Sequence, residues 1–245
     1  MANWTWHAKP MGSYAMGSTE GDDNACLIAS WLMINYGWTL EAVCGMLGNI
    51  AGEGGLNPWQ YEISHVPTSQ DIPTYAQAAS AGYGMGLIGW TPCRKYTVAN
   101  NTFFPEWDLS TFPGYGPNFS DQPGNTQDAN AQTELIGKCM VGNGHRNFWI
   151  RSRVDEYNNI HYNWTADEYI ALTDLEQATK IWLWQAEYPQ SIHPPANPTQ
   201  TENRRIGFAQ AWYQHLIDIG FHPSLGGFPY WLLLAKKAQE FNNRI

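Results

Sequence analysis

A single carboxylate stands where a helix must stop. In the segment Gly48-Asn49-Ile50-Ala51-Gly52-Glu53-Gly54-Gly55-Leu56-Asn57-Pro58-Trp59, Glu53 follows an apolar helical stripe and precedes two glycines that end it. The C-terminal end of a helix carries partial negative charge, which disfavours a second one, and apolar neighbours such as Ile50 and Leu56 would add desolvation. Both effects are expected to raise the Glu53 carboxyl and keep its proton near neutral pH. A general acid needs this if it is to protonate a glycosidic oxygen. The same residue can be read as a solvated glutamate at a helix end, and this feature alone leaves both readings open.

The elements that position Glu53 are helical. From Asp22 or Asp23, either a good N-cap, Ala25, Ile28, Trp31 and Leu32 recur at helical spacing until Gly37. A second helix follows, capped by Thr39, with Leu40, Val43, Cys44, Leu47, Ile50 and Ala51 on one stripe and Glu53 in its last turn. Between Asn57 and about Asn130, Gly, Pro, Ser, Thr and Asn break the pattern, and only short runs such as Tyr83 to Trp90 suit strands. Helical signals return over Gln132 to Met140 and at the capping boxes Thr165-Ala-Asp-Glu168 and Thr173-Asp-Leu-Glu176, the second opening a run that Pro189 terminates. In a last helix, Ile206, Ala209, Trp212, Tyr213, Leu216 and Ile217 share a face until Gly220. The expected class is mainly α (α+β), with helices around a small irregular or β lobe. An N-terminal arm is expected over residues 1–21, the main body over 22–220, and over 221–245 an extension with a short amphipathic helix.

Composition narrows the functions. With 13 Lys and Arg against 22 Asp and Glu, the formal charge of -9 repels nucleic acid phosphates. The 13 Trp and 13 Tyr exceed what a core demands, and such rings stack on sugar faces, although core or interface positions account for most of them. Cys26, Cys44, Cys93 and Cys139 form no CxxC pair and read as scattered free thiols. A Cys–His hydrolase is disfavoured: Cys44 sits mid-helix, and Cys93 with His145 has no supporting motif. The seven histidines form no HExxH motif, so neither metal nor other cofactor is expected, and His161 reads as a surface or packing residue. The start Met-Ala-Asn-Trp-Thr-Trp is no export signal, and the longest apolar stretches are too short to span a bilayer, so no membrane insertion is expected.

The ordered series Asn24-Ala25, Gly37-Trp38-Thr39, Leu47-Gly48-Asn49-Ile50, Glu53, Asn57-Pro58, Gly82-Tyr83-Gly84-Met85-Gly86-Leu87 and Trp90-Thr91 with Arg94 resembles the phage tail lysozyme family. The likeness continues through Gln132-Thr133-Glu134-Leu135, Glu187-Tyr188-Pro189 and Arg204 or Arg205 on the last helix. The resemblance implies a lysozyme-like helical domain over residues 22–220 that cuts the β-1,4 glycan backbone of bacterial peptidoglycan with Glu53 as acid. Two places depart from the pattern. Glu53-Gly54-Gly55 replaces the usual Glu-Ser-Gly, and Gly86-Leu87-Ile88-Gly89-Trp90 lacks a glutamine that could touch sugar.

Glycoside hydrolysis of this kind normally uses a second carboxylate roughly 5 to 9 Å from the acid. Glu62 is preferred and Asp71 is the alternative, while related transglycosylases need neither and close an anhydro ring on the sugar itself. Tyr61, Tyr83 and Trp90 are candidates to stack on sugar rings, and Asn57 either binds an N-acetyl group or fixes the turn. The resemblance places the chain in the phage virion as a tail component, with peptidoglycan strands and other tail proteins as partners and no nucleic acid. A role as an endolysin or a bacterial wall-remodelling enzyme is the alternative setting. The rival function is a lysozyme-like virion protein that is structural or glycan-binding and has lost catalysis.

Overall fold

The computed structural model describes residues 4–9, 12–53, 55–60, 84, 86–89, 127–145, 148–193 and 196–223. The first helix, α1 (Thr19–Tyr36), starts about a turn earlier than the apolar spacing suggests. The reason is Ser18, whose hydroxyl accepts the Gly21 N–H at 3.0 Å and caps the helix ahead of Asp22. Gly37, at φ 71°, ends it in the left-handed conformation expected of a C-terminal glycine. In α2 (Leu40–Glu53), Thr39 caps as expected, its Oγ1 accepting from Ala42 N at 3.1 Å. Every residue from Ala42 to Ile50 is buried, so α2 is enclosed on all sides rather than along one stripe.

Beyond the segment 55–60 come α3 (Gln127–Cys139), a hairpin of β1 (Arg153–Asp155) and β2 (Ile160–Tyr162), α4 (Ala166–Ile170), α5 (Leu175–Trp182) and α6 (Thr199–Asp218). The Thr165–Glu168 capping box is formed in full. At α5 the cap is Asp174 rather than Thr173. A π-helical turn (Leu183–Glu187) continues α5, and a short 3-10 turn (Gln190–Ile192) follows Pro189. The fold is mainly α, as expected, but the described β structure lies elsewhere than foreseen. The strands pair antiparallel, Arg153 with Tyr162 and Asp155 with Ile160, around a turn that buried Asp155 organises by accepting from the backbone N–H of Tyr157 and Asn158. Within Tyr83 to Trp90, residues 86–89 form a turn closed by Gly89 N–H on Gly86 O at 3.2 Å.

The core is aromatic. Of the ten Trp among the described residues, eight are buried (Trp6, Trp31, Trp38, Trp59, Trp149, Trp182, Trp184 and Trp212), so most of these indoles serve packing rather than a sugar platform. Trp38, Trp149 and Tyr169 surround Trp182 with centroids 5.5 to 6.0 Å apart. The Tyr169 hydroxyl donates to Ala42 O at 2.8 Å, tying α4 to α2. Cys26, Cys44 and Cys139 are buried free thiols. Among the described residues, no helix is long and apolar enough to cross a membrane.

The central packing event is α2 lying between α5 and α6. Small residues permit it. A Cβ at Gly45 would stand 2.9 Å from the Ala178 carbonyl carbon, and one at Gly48 would stand 2.6 Å from both Cβ and backbone N of Ala209. The Gly48→Ala variant is therefore expected to be less stable by about 1–3 kcal/mol, the usual cost of overpacking. This is measurable as a lower midpoint in thermal or denaturant unfolding, and an unchanged midpoint would contradict the close approach of α2 and α6.

Candidate active site

Glu53 closes α2, and its side chain is 40% exposed. The structure adds to it a partner of opposite charge that the helix-end argument did not contain. Arg205 of α6 is buried, with 1% exposure, and its Nη2 donates to Glu53 Oε1 while its Nη1 donates to the Asn49 carbonyl. Asn49 is itself anchored, its Nδ2 donating to Gly45 O at 2.8 Å and to Thr179 O of α5 at 3.0 Å. The guanidinium lies against the backbone at Gly52, where a Cβ would come 1.5 Å from Nη1. Gly52 is thus required next to the acid so that the cation can reach it.

A second carboxyl enters from α5. Glu187 ends the π-helical turn, and its Oε1 accepts from Trp182 Nε1 at 3.2 Å. The residue keeps partial exposure, yet Oε2 is shut off from solvent and has no hydrogen-bond partner among the described residues. Burial pushes this carboxyl up from 4.5 to about 8, and the charge of Glu53 adds to the rise. The Arg205 cation and the Trp182 hydrogen bond oppose it without cancelling it.

The turn after Glu53 is held from three sides. Gly55, at φ 106°, donates to Ile50 O at 3.1 Å. Asn24 Nδ2 donates to Leu56 O at 2.8 Å and to His7 O at 2.9 Å. The buried Asn57 donates to Lys9 O and Gly12 O and accepts from the N–H groups of Lys9 and Trp59. Of the two roles considered for Asn57, these bonds serve the turn. Gln132 of α3 joins the turn to the Gly86–Gly89 segment, donating to Pro58 O at 2.9 Å and accepting from Leu87 N at 2.7 Å. Two motifs far apart in sequence meet on its side chain.

Glu62, Asp71, Tyr61, Tyr83 and Trp90 lie outside the described residues, as does Cys93. His161 is exposed. Burial raises the Cys44 thiol, which makes it a poor nucleophile. No cluster of His, Cys, Asp and Glu able to hold a metal occurs among the described residues. The family resemblance includes Arg205 and Glu187 but gives neither a role. The available signal was a charged residue, Arg205, one turn before Ala209 on the apolar face of α6, where a solvated side chain would be out of place.

A helical body whose central helix delivers a half-exposed glutamate, braced by the last helix, is a lysozyme-like architecture. The sequence agrees with the fold. The chain matches the phage tail lysozyme family over residues 23–216 and belongs to it. It is also 36% identical over 201 residues to Morphogenesis protein 1 of Bacillus phage B103, an alignment covering 80% of this chain. The chain spans about 40% of the length of that relative.

The raised Glu187 carboxyl has a measurable consequence. Between 4.5 and about 8 the folded protein holds a proton that the unfolded chain has released, so stability falls as pH rises through that window. The slope is at most about 1.36 kcal/mol per pH unit. Glu187→Gln, which keeps a neutral group there, is expected to flatten the dependence of the unfolding midpoint on pH between 5 and 8. Equal slopes for variant and wild type would show that Glu187 is ionised in the folded state.

Proposed function

We propose that the chain is a muramidase-type glycoside hydrolase that cleaves the β-1,4 glycan backbone of peptidoglycan, with Glu53 as the acid. The observation that carries this reading is the placement of Glu53. It is the accessible carboxylate at the end of the most enclosed helix, held in orientation by a buried guanidinium, in a member of the phage tail lysozyme family. Glu53 protonates the glycosidic oxygen. As the proton leaves, a full carboxylate forms where Arg205 already points two donors toward the end of α2, a charge placed in advance for the transition state. The positive charge developing on the sugar is met by Glu62 or Asp71, or by the substrate's own acetamido or hydroxyl group. Tyr61, Tyr83 and Trp90 supply the stacking surfaces.

The net charge of -9 gives no long-range attraction to an anionic wall, so binding rests on short-range sugar contacts. The setting proposed is a phage tail that applies the enzyme to the wall at infection, beside other tail proteins. A second reading takes its support from the relative's name, which speaks of morphogenesis: a lysozyme-like virion part that binds glycan or builds the particle without cutting.

Purified walls separate the two. Wild type is expected to release soluble fragments and Glu53→Gln to lose about 10²–10⁴-fold in rate with its fold intact, the usual contribution of a general acid. Mass spectrometry of the fragments distinguishes a reducing end, made by hydrolysis, from an anhydro-sugar, made by transglycosylation. Wild type that leaves several wall types intact over a broad pH range would establish the non-catalytic reading.

A further inference from the structure

The N-terminal arm takes no part in the cleavage just described, and it lies ahead of the residues matched to the family. It is nevertheless fastened to the turn that follows the acid. The buried Asn57 amide engages the Lys9 N–H and C=O and also the Gly12 C=O, at 2.7 to 3.3 Å. The buried Asn24 amide does the same for the two backbone groups of His7, at 2.8 and 2.9 Å, while also holding Leu56 O. Trp6 adds its indole N–H, donated to Asn130 of α3. Ordering a stretch rich in Gly and Ser costs conformational entropy at every residue, so a fastening this extensive calls for an account of what the arm delivers.

What it delivers is Lys9 and Tyr14. Residues 13 and 14 lie against Gly55, just past Glu53, where a Cβ would stand 2.7 Å from the Ser13 Cβ and 3.1 Å from the Tyr14 carbonyl oxygen. Next to that contact the Lys9 ammonium stands 4.4 Å from the centroid of the Tyr14 ring and donates to Ser13 O at 2.7 Å. Both residues keep partial exposure. The ammonium has donors to spare, and Lys9 has no carboxylate partner among the described residues although the chain carries a formal charge of -9. A tyrosine ring and an unpaired ammonium held together suit a sugar that bears an acid, the ring covering the pyranose and the ammonium meeting the carboxylate.

We propose that the N-terminal arm is part of the substrate-binding surface: Tyr14 stacks on a sugar ring of the glycan, and Lys9 binds a carboxylate carried on its peptide-bearing sugars. The proposal rests on peptidoglycan being the substrate. Asn24 and Asn57, both fully buried, serve this surface from behind by fixing the arm to the turn beyond Glu53.

The test measures binding by titration calorimetry on the full chain carrying Glu53→Gln, so that no ligand is cut. The ligands are a soluble peptidoglycan fragment with its peptide carboxylates free and the same fragment with them amidated. Adding Lys9→Met is expected to weaken the free-carboxylate fragment about tenfold, the loss of one charge-assisted hydrogen bond, and to leave the amidated one unchanged. Lys9→Arg should restore the lost affinity. Tyr14→Leu should weaken both fragments about tenfold by removing the stacking surface. Lys9→Gln repeats the measurement if Lys9→Met does not fold. The proposal is overturned if the lysine variant binds the free-carboxylate fragment as tightly as its parent, if it loses both fragments equally, or if the parent binds neither. Wall clearing by wild type, followed in parallel, separates that failure from failure of the hydrolase reading. Lys9-dependent binding in a protein that clears no wall supports the role of the arm and defeats hydrolysis, whereas cleared walls with Lys9-independent binding do the reverse.

Discussion

The buried Arg205 guanidinium is the constraint around which this molecule is arranged. A cation removed from water loses several kcal/mol of solvation, and only well-placed acceptors offset that. The acceptors here are the Asn49 carbonyl and the terminal carboxylate of α2, which tie α6 to the C-terminal end of α2. The requirement reaches outward. Gly52 must lack a side chain for the cation to fit, Gly48 must lack one for α6 to come close, and Asn49 must be fixed to α5 for its carbonyl to aim correctly. Orientation of the acid and packing of three helices are therefore one problem with one solution.

The aromatic core obeys a related rule. Burying an indole also buries an N–H, and several of these donors end on carboxylates. Trp31 donates to Glu134, Trp182 to Glu187 and Trp184 to Glu202, at 2.6, 3.2 and 2.8 Å. Acidic residues thus enter the interior as partners of tryptophan. A chain with a large negative charge and few cations can in this way place carboxylates inside without pairing each to a lysine or arginine.

What could be read from the sequence was local in origin. Glu53 at a helix end, the Thr39 cap, the Thr165–Glu168 box and the glycine stop at Gly37 depend on residues within a turn or two of one another, and periodicity exposes them. The early start of α1 was hidden because Ser18 caps from within a Gly- and Ser-rich stretch that looks like loop. The β1–β2 hairpin was hidden because three-residue strands carry too little alternation to detect, and its turn depends on a single buried aspartate. Arg205 and Glu187 were hidden for a deeper reason. A charge on an apolar face contradicts the binary pattern, and only the facing helix shows why it is there. Asn57 shows the converse: its sequence neighbourhood allowed two roles, and the position of the N-terminal arm decided for the turn.

The contact between Trp4 and Phe221, with ring centroids 5.5 Å apart, joins the arm to the segment that leaves α6. Among the described residues, the segment that leads toward α1 and the segment that leaves α6 therefore meet. A load applied at these two segments would enter and leave at adjacent points and bear first on the ring contact that joins them.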